Sequence, residues 1–217
     1  SQIMMKSILI VGLGSVGWLE RWVLSPDGRK AAVLTALTRQ LILVDTDPSS
    51  PGYMNWNLIG NVPVGTAIIA LTNGVDFSPD SLQLMIGIQT GGGSVGEVAR
   101  YDVLLGMWHD HNSTMLGVQN IGPQSDPPAV VPAAVWEVEY APDGTYAVVS
   151  GWYSTPGVGR IDLSPVDPFF WTYTPITSPV NLTGDSWACA VSPDSEQFAT
   201  FGSDQLVIFN RDGTYSG

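Results

Sequence analysis

The segment Leu24-Ser-Pro-Asp-Gly28 recurs in similar form at three later places, which are Phe77-Ser-Pro-Asp-Ser81, Tyr140-Ala-Pro-Asp-Gly144 and Val191-Ser-Pro-Asp-Ser195. The four prolines lie at positions 26, 79, 142 and 193, so successive copies are 53, 63 and 51 residues apart. Proline fixes φ for a turn, aspartate bonds to nearby backbone, and glycine or serine tolerates the last position. Each copy therefore predicts a tight β-turn between two strands.

A second marker follows each turn, a short apolar strand that ends in Asp or Asn. Its copies are Leu43-Val-Asp45, Arg100-Tyr-Asp102, Arg160-Ile-Asp162 and Ile208-Phe-Asn210. They end 19, 23, 20 and 17 residues after the turn proline. Two markers in the same order predict four repeated units with three strands each. Further apolar runs suggest a fourth strand in the first three units, at 53–59, 115–119 and 169–174.

These units fill one domain, residues 1–217, with approximate boundaries at 18–61, 62–122, 133–180 and 184–217. The last unit has no fourth strand of its own. The apolar segment 5–11 precedes the first unit and has no partner there, so we expect it to supply the missing outer strand. Pairing the two ends of the chain in this way closes a ring and removes an exposed sheet edge.

Short strands in four-stranded units of about 40 to 60 residues are typical of a β-propeller. The Ser-Pro-Asp-Gly turn and the Val-Asp or Ile-Asp strand end resemble the repeats of WD40-like and TolB-like propellers. This resemblance implies an all-β propeller with four blades of four antiparallel strands. Because those families usually have six or seven blades, a fragment of a larger propeller is the alternative. The Gly-His and Trp-Asp pairs of true WD40 repeats are missing, and the fold alone does not imply a function.

Composition limits the fold and the partners. The chain has 24 Gly and 16 Pro among 217 residues, which disfavours helical folds because both residues destabilise helix interiors. It carries 8 basic and 20 acidic residues, a formal net charge of -12, so phosphate backbones and anionic lipid surfaces should repel it. Apolar runs are too short to cross a bilayer. The single cysteine, Cys189, is expected to be a buried strand residue.

A competing hypothesis begins at the glycine-rich segment that follows the N-terminal apolar run. Gly12-x-Gly14-x-x-Gly17 resembles the dinucleotide-binding turn of Rossmann folds and adenylating enzymes, and Asp45 ends a later strand as a ribose-binding acid would. However, the turn at 25–28 leaves no room for the crossover helix, and Asp45 lies 28 residues beyond Gly17 instead of about 20. A closing strand followed by a loop is the favoured interpretation.

The two histidines of the chain lie in Trp108-His-Asp-His111, where His109, Asp110 and His111 are candidate ligands for a metal ion. Adjacent loop residues rarely form a tetrahedral site without a remote fourth ligand. A solvated loop is therefore favoured, and we expect neither a metal nor a cofactor.

The expected function is that of a non-enzymatic interaction or structural module that presents rim loops to a protein or glycan partner within a larger assembly. The longest irregular segment, 105–132, is the best candidate for contact. Low charge and abundant Gly, Thr and Val suit an extracellular or virion component, and oligomers are compatible with this role. The alternatives are a ligand-binding or enzymatic propeller with a central site, or dinucleotide binding. The candidate partner-binding residues are Trp108, His109, His111, Trp152 and Tyr153.

Overall fold

The computed structural model describes residues 19–35, 40–61, 70–90, 97–109, 118–120, 134–152, 157–164, 173–176, 186–202 and 205–216. These residues form sixteen β-strands and no helix, which confirms the all-β prediction. It follows that no helix long and apolar enough to cross a membrane occurs among them. The strands form four antiparallel groups, one for each repeated unit, which we call blades 1 to 4 in chain order.

Blades 1 and 2 contain the first nine strands. Blade 1 has the order β1-β2-β3-β4, with strands at Leu19–Leu24, Lys30–Thr35, Gln40–Asp45 and Trp56–Asn61. Blade 2 consists of β5 to β9, at Ala70–Phe77, Gln83–Thr90, Glu97–Asp102, Met107–His109 and Val118–Asn120. Both β8 and β9 pair with β7, at opposite ends of that strand. The outer edge of blade 2 is thus shared by two short strands.

Blades 3 and 4 contain the remaining seven strands. Blade 3 has the order β10-β11-β12-β13, at Ala134–Tyr140, Tyr146–Trp152, Val158–Asp162 and Tyr173–Pro175. Blade 4 has the order β14-β15-β16, at Ser186–Val191, Gln197–Gly202 and Gln205–Asn210. One backbone pairing, between Ala134 and Gln89, also joins blade 3 to blade 2.

Most expected outer strands are present, but their limits differ from the prediction. The strand predicted at 53–59 begins only at Trp56, because Met54 has a left-handed φ of 64° and its N–H donates to the carbonyl of Asp45 at 2.7 Å. The strand β8 was not predicted. The proposed closing strand, 5–11, lies outside the described residues, so closure of the ring stays a prediction.

The repeated turns are confirmed, and three of them share one hydrogen-bonded design. In blade 1 the Ser25 hydroxyl donates to Asp27 Oδ1 at 2.6 Å and accepts from the N–H of Lys30 at 2.9 Å. Blades 2 and 4 repeat these contacts through Ser78 and Ser192. The last turn position is left-handed in all four blades, at Gly28, Ser81, Gly144 and Ser195.

The core consists of apolar layers between neighbouring blades. Leu34 of blade 1 packs with Phe77 and Ile86 of blade 2 in the first layer. Blades 2 and 3 meet through a second layer and blades 3 and 4 through a third. Blades 2 and 3 therefore each have two apolar faces, one packed against each neighbouring blade. This alternation positions the first strands of the blades, β1, β5, β10 and β14, side by side.

Candidate functional site

Carboxylates on the inner strands tie neighbouring blades together. Asp76 on β5 accepts a hydrogen bond at 2.8 Å from the N–H of Tyr140, which ends β10. Glu139 on β10 accepts one at 3.2 Å from the N–H of Val191, which ends β14. Both acids lie three residues before their turn proline. The same position of the repeat thus joins blade 2 to blade 3 and blade 3 to blade 4.

Burial raises the pKa values of the carboxylates on the inner strands. Desolvation raises the pKa of Asp76 to about 7, and it outweighs the opposing hydrogen bonds from the N–H groups of Tyr140 and Phe77. Burial also raises the pKa values of Glu137 and Glu139. Arg21 on β1 partly offsets this at Glu137, since its guanidinium lies 3.3 Å from the carboxylate. Protonation of Asp76 therefore changes near neutral pH.

The turns add a second set of contacts between blades. The hydroxyl of Ser81 accepts from the N–H of Asp27 at 3.2 Å, and that of Ser195 accepts from the N–H of Asp143 at 3.0 Å. The blade 3 turn is held further by the Tyr146 hydroxyl, which donates to the carbonyl of Ser195 at 3.0 Å. Serine at the last turn position thus also accepts a hydrogen bond from the turn of the preceding blade.

The described residues offer no chemistry typical of a metal or thiol site. No group of three or more His, Cys, Asp or Glu side chains within the described ranges could hold a metal ion. Cys189 is buried, as predicted, and burial raises the pKa of its thiol far above the usual value. A buried, protonated thiol is a packing residue and not a nucleophile.

A groove of about 340 Å³ lies on the outer side of blades 1 and 2. One wall comes from the ends of β3 and β4, including Asp45 and Trp56, and the other from the turn that contains Gly106. Trp56 is 51% exposed. The carboxylate of Asp45 lies 3.5 Å from the amine of Lys30, so this part of the groove contains an ion pair.

The turn between β7 and β8 holds apolar side chains out into solvent. The carboxylate of Asp102 accepts from the N–H of Leu105 at 2.7 Å, and its carbonyl accepts from the N–H of Gly106 at 2.9 Å. Gly106 has a φ of 69°, a conformation that favours glycine. Leu104 is 76% exposed and Leu105 60%. An ordered turn that exposes two leucines, followed by the half-exposed Met107, is the most prominent apolar feature of this rim.

The structure places only some of the predicted site residues. Asp45 accepts hydrogen bonds from the Ser50 hydroxyl and the N–H of Asp47, as a turn acid does. Trp108 is half-buried and packs edge-on against the Tyr101 ring, with centroids 5.0 Å apart. His109 ends β8 and Trp152 ends β11. The remaining candidates lie outside the described residues: Gly12, Gly14, Gly17, Asp110, His111 and Tyr153.

Sequence reasoning missed both the inner carboxylates and the exposed leucines. An acid within an apolar strand, as in Val75-Asp-Phe77, was the available signal for Asp76. The run Leu104-Leu-Gly-Met107 directly after a strand-ending aspartate was the signal for the apolar turn. The predicted contact segment 105–132 overlaps this turn, but the contact residues predicted within it are Trp108, His109 and His111.

Four antiparallel blades that pack face to face, with their first strands side by side, define a β-propeller, so the predicted fold class is confirmed. The β-propeller domain of Swd1 from Myceliophteria thermophila is 11% identical and has a TM-score of 0.50, with 92% of this chain and 72% of that domain covered. The Dos1 propeller is 13% identical with a TM-score of 0.52, with 94% and 47% covered.

Hydrazine synthase from Kuenenia stuttgartiensis is also similar, at 17% identity and a TM-score of 0.53, with 90% of this chain and 53% of that chain covered. The chain thus spans about half the length of several structures that it matches. No protein-family model matches the sequence, and no curated protein matches it either. At such low identities the likeness shows the fold alone, and the assignment to WD40-like or TolB-like repeats stays a prediction.

Proposed function

We propose that this chain is a non-enzymatic interaction module that presents the rim of blades 1 and 2 to a protein partner. The observation that supports this function is the ordered turn of residues 102–106, which exposes Leu104 and Leu105. A turn whose backbone is held by hydrogen bonds suits binding, because little backbone conformational entropy is lost when a partner covers it. Complete burial of one leucine contributes about 1.5 to 3 kcal/mol.

The surroundings of the turn match the usual composition of a protein interface. The apolar centre comes from the two leucines and from Met107, and Trp56 lines the adjoining groove. Polar groups lie beside them, including the ion pair of Lys30 and Asp45. An apolar centre with a polar margin is the common arrangement in protein interfaces. The complementary surface is expected to offer an apolar pocket for the leucines.

The inner strands support the non-enzymatic assignment in a different way. The carboxylates of Asp76 and Glu139 each accept a hydrogen bond from a backbone N–H group of the next blade. These hydrogen bonds give both carboxylates a structural role. Ligand binding at the centre of the propeller is the alternative.

Affinity purification from the source cells tests this function with a double variant, Leu104→Ser with Leu105→Ser. The matched control is Leu82→Ser, because Leu82 is 43% exposed and lies in the turn before β6. We expect the wild type and the control to retain the same specific protein and the double variant to lose at least nine-tenths of it. Equal recovery with all three proteins contradicts a role for this turn.

A further inference from the structure

A cavity of about 410 Å³ lies at the junction of blades 2 and 3. One wall comes from blade 2, with Asp80 of the turn and Arg100 of β7. The other wall comes from blade 3, with Tyr140, Gly144 and Leu163. Ligand pockets usually measure about 300 to 1,000 Å³, so this junction is large enough for a bound group.

The junction of blades 3 and 4 shows how the equivalent space is filled by the chain itself. There Arg211, the residue after β16, reaches back to blade 3. Its guanidinium lies 3.0 Å from the carboxylate of Asp143 and donates to the hydroxyl of Thr145 at 2.7 Å. The same guanidinium lies over the Tyr146 ring, 5.7 Å from its centroid. Ser195 completes this junction, because its hydroxyl accepts from the N–H of Asp143.

The junction of blades 2 and 3 lacks both of these side chains but keeps the aspartate. Leu163 follows β12 as Arg211 follows β16, and the N–H of each bonds to the carbonyl of the third residue after a turn proline. Gly144 takes the place of Ser195 and has no hydroxyl. Asp80 follows its turn proline as the aspartate of blade 3 does. Within the described part of the chain, no cation pairs with the carboxylate of Asp80.

A buried hydroxyl belongs to the same cavity. Tyr140 is only 6% exposed, and none of the described residues forms a hydrogen bond with its hydroxyl. Burial raises the pKa of this hydroxyl, Arg100 lowers it and Asp80 raises it, so the hydroxyl lies near both of these charged side chains. The other three blades have an apolar residue at this position. Because a buried hydroxyl without a partner is unfavourable, its presence here indicates that a bound group pairs with it.

Arg100 does not exclude a second guanidinium from the cavity. Arg160, at the equivalent position of β12, lies beside Arg211 and donates to its backbone carbonyl at 3.0 Å. The charge of Arg160 is offset by Asp162, 3.1 Å away. Asp102 occupies the corresponding position after Arg100. Burial lowers the pKa of Arg100 and the charge of Asp102 raises it, so this pair acts in the same way.

We propose that this cavity binds an arginine side chain of a protein partner, in the place that Arg211 has between blades 3 and 4. The guanidinium pairs with the Asp80 carboxylate and donates to the Tyr140 hydroxyl, and the amide oxygen of Gln83 is a further acceptor in the cavity wall. The N–H groups of a guanidinium suit several acceptors at once. The net charge of -12 also attracts a basic partner. This site does not depend on the turn of residues 102–106.

NMR titration of the 217-residue chain with N-acetyl-arginine amide, whose only charge is the guanidinium, tests the site without any partner protein. We expect saturable shifts of backbone N–H signals at 78–83 and 140–144, with a dissociation constant in the millimolar range. Asp80→Asn should raise this constant about fivefold or more, because asparagine keeps an acceptor for the Ser78 hydroxyl but has no charge. The control is Asp27→Asn, at a carboxylate with the same turn contacts in blade 1, and it should leave the affinity unchanged.

The variant Tyr140→Phe distinguishes a ligand-binding hydroxyl from a structural one. It should weaken binding of the capped arginine about twofold or more, because the guanidinium loses an acceptor. The urea midpoint of the free protein should not fall, because no described group loses a hydrogen-bond partner. A lower midpoint with unchanged binding would overturn the role given to this hydroxyl.

Three further probes identify the chemistry that the cavity recognises. N-acetyl-lysine amide should bind about threefold or more weakly, because an ammonium group has no planar set of donors. Sodium acetate should cause no saturable shifts of these signals, and free L-arginine should bind no more tightly than the capped form. No binding of the capped arginine, saturation by acetate, equal affinity for lysine and arginine, tighter binding of free arginine, or equal weakening by both asparagine variants would each overturn the proposal.

Discussion

Replacement of Asp76 by asparagine should remove a pH dependence of stability that is built into the inner strands. The folded protein holds the pKa of Asp76 at about 7, against an ordinary value of 3.8. The folded state therefore binds more protons than the unfolded state between these two pH values, and the free energy of unfolding falls as pH rises through this range. The complete effect is about 4 kcal/mol, at 1.36 kcal/mol for each pH unit.

A window from pH 5 to pH 8 isolates this contribution. Within it the wild type should lose about 2 to 3 kcal/mol through Asp76, because the loss continues until about pH 7 and then stops. The pKa values of Asp27 and Asp45 lie below their ordinary value, so their stabilising contributions are lost only at lower pH. The raised pKa values of Glu137 and Glu139 act in the same direction as that of Asp76, and they remain in both proteins.

The assay is urea unfolding followed by tryptophan fluorescence, at several pH values, for the wild type and Asp76→Asn. Asparagine keeps a carbonyl acceptor for a backbone N–H and has no charge to desolvate. Because asparagine has one carbonyl oxygen for the two N–H groups of Tyr140 and Phe77, the variant loses one hydrogen bond at every pH. It should show a flatter pH profile than the wild type. Asp212→Asn is the control, because the pKa of Asp212 is lowered and the residue is exposed. Parallel profiles for wild type and Asp76→Asn would refute the reasoning.

Two further predictions concern the contacts between blades. Ser195→Ala should lower the free energy of unfolding by about 1 kcal/mol, because the N–H of Asp143 loses its acceptor. Ser195→Gly should lower it by less, because Ser195 has a φ of 62°, which glycine adopts freely. Similar losses in urea unfolding for both variants would contradict the role given to φ. Gly74→Ala should lower the free energy of unfolding by about 1 to 3 kcal/mol, because a Cβ at this position would lie 2.6 Å from the backbone nitrogen of Val138. An unchanged thermal midpoint of the variant would contradict this close approach of β5 to β10.

The repeated turns could be predicted from sequence because their conformation is local. Pro26 and Asp27 determine a turn through their own backbone and its nearest neighbours, and the same holds in the other blades. The position of Trp108 could not be found in this way. Its half-buried indole packs against Tyr101 of the neighbouring strand, and its contact with a partner stays a prediction. Such a contact depends on the pairing of β7 with β8, a strand of three residues that leaves almost no periodic signal.

The exposed side of blade 4, which carries Phe201, Leu206 and Ile208, was also beyond sequence reasoning. Phe201 and Ile208 have the same apolar character as the buried Phe198 and Phe209 on the opposite face. Alternation in a strand shows that both faces are apolar but not which of them another sheet covers. The exposed turn at 102–106 raised a similar difficulty, because a leucine in a turn can as easily fold back onto the core. The structure distinguishes these cases through burial.

The interaction role is tested most directly by photo-crosslinking in the source cells. A benzoylphenylalanine is placed at position 105, in the exposed turn, or at position 82, which is similarly exposed and lies outside the proposed contact. We predict one dominant covalent adduct with a distinct protein from position 105 and none of it from position 82. The same adduct from both positions, or no adduct from position 105, would contradict the proposed function.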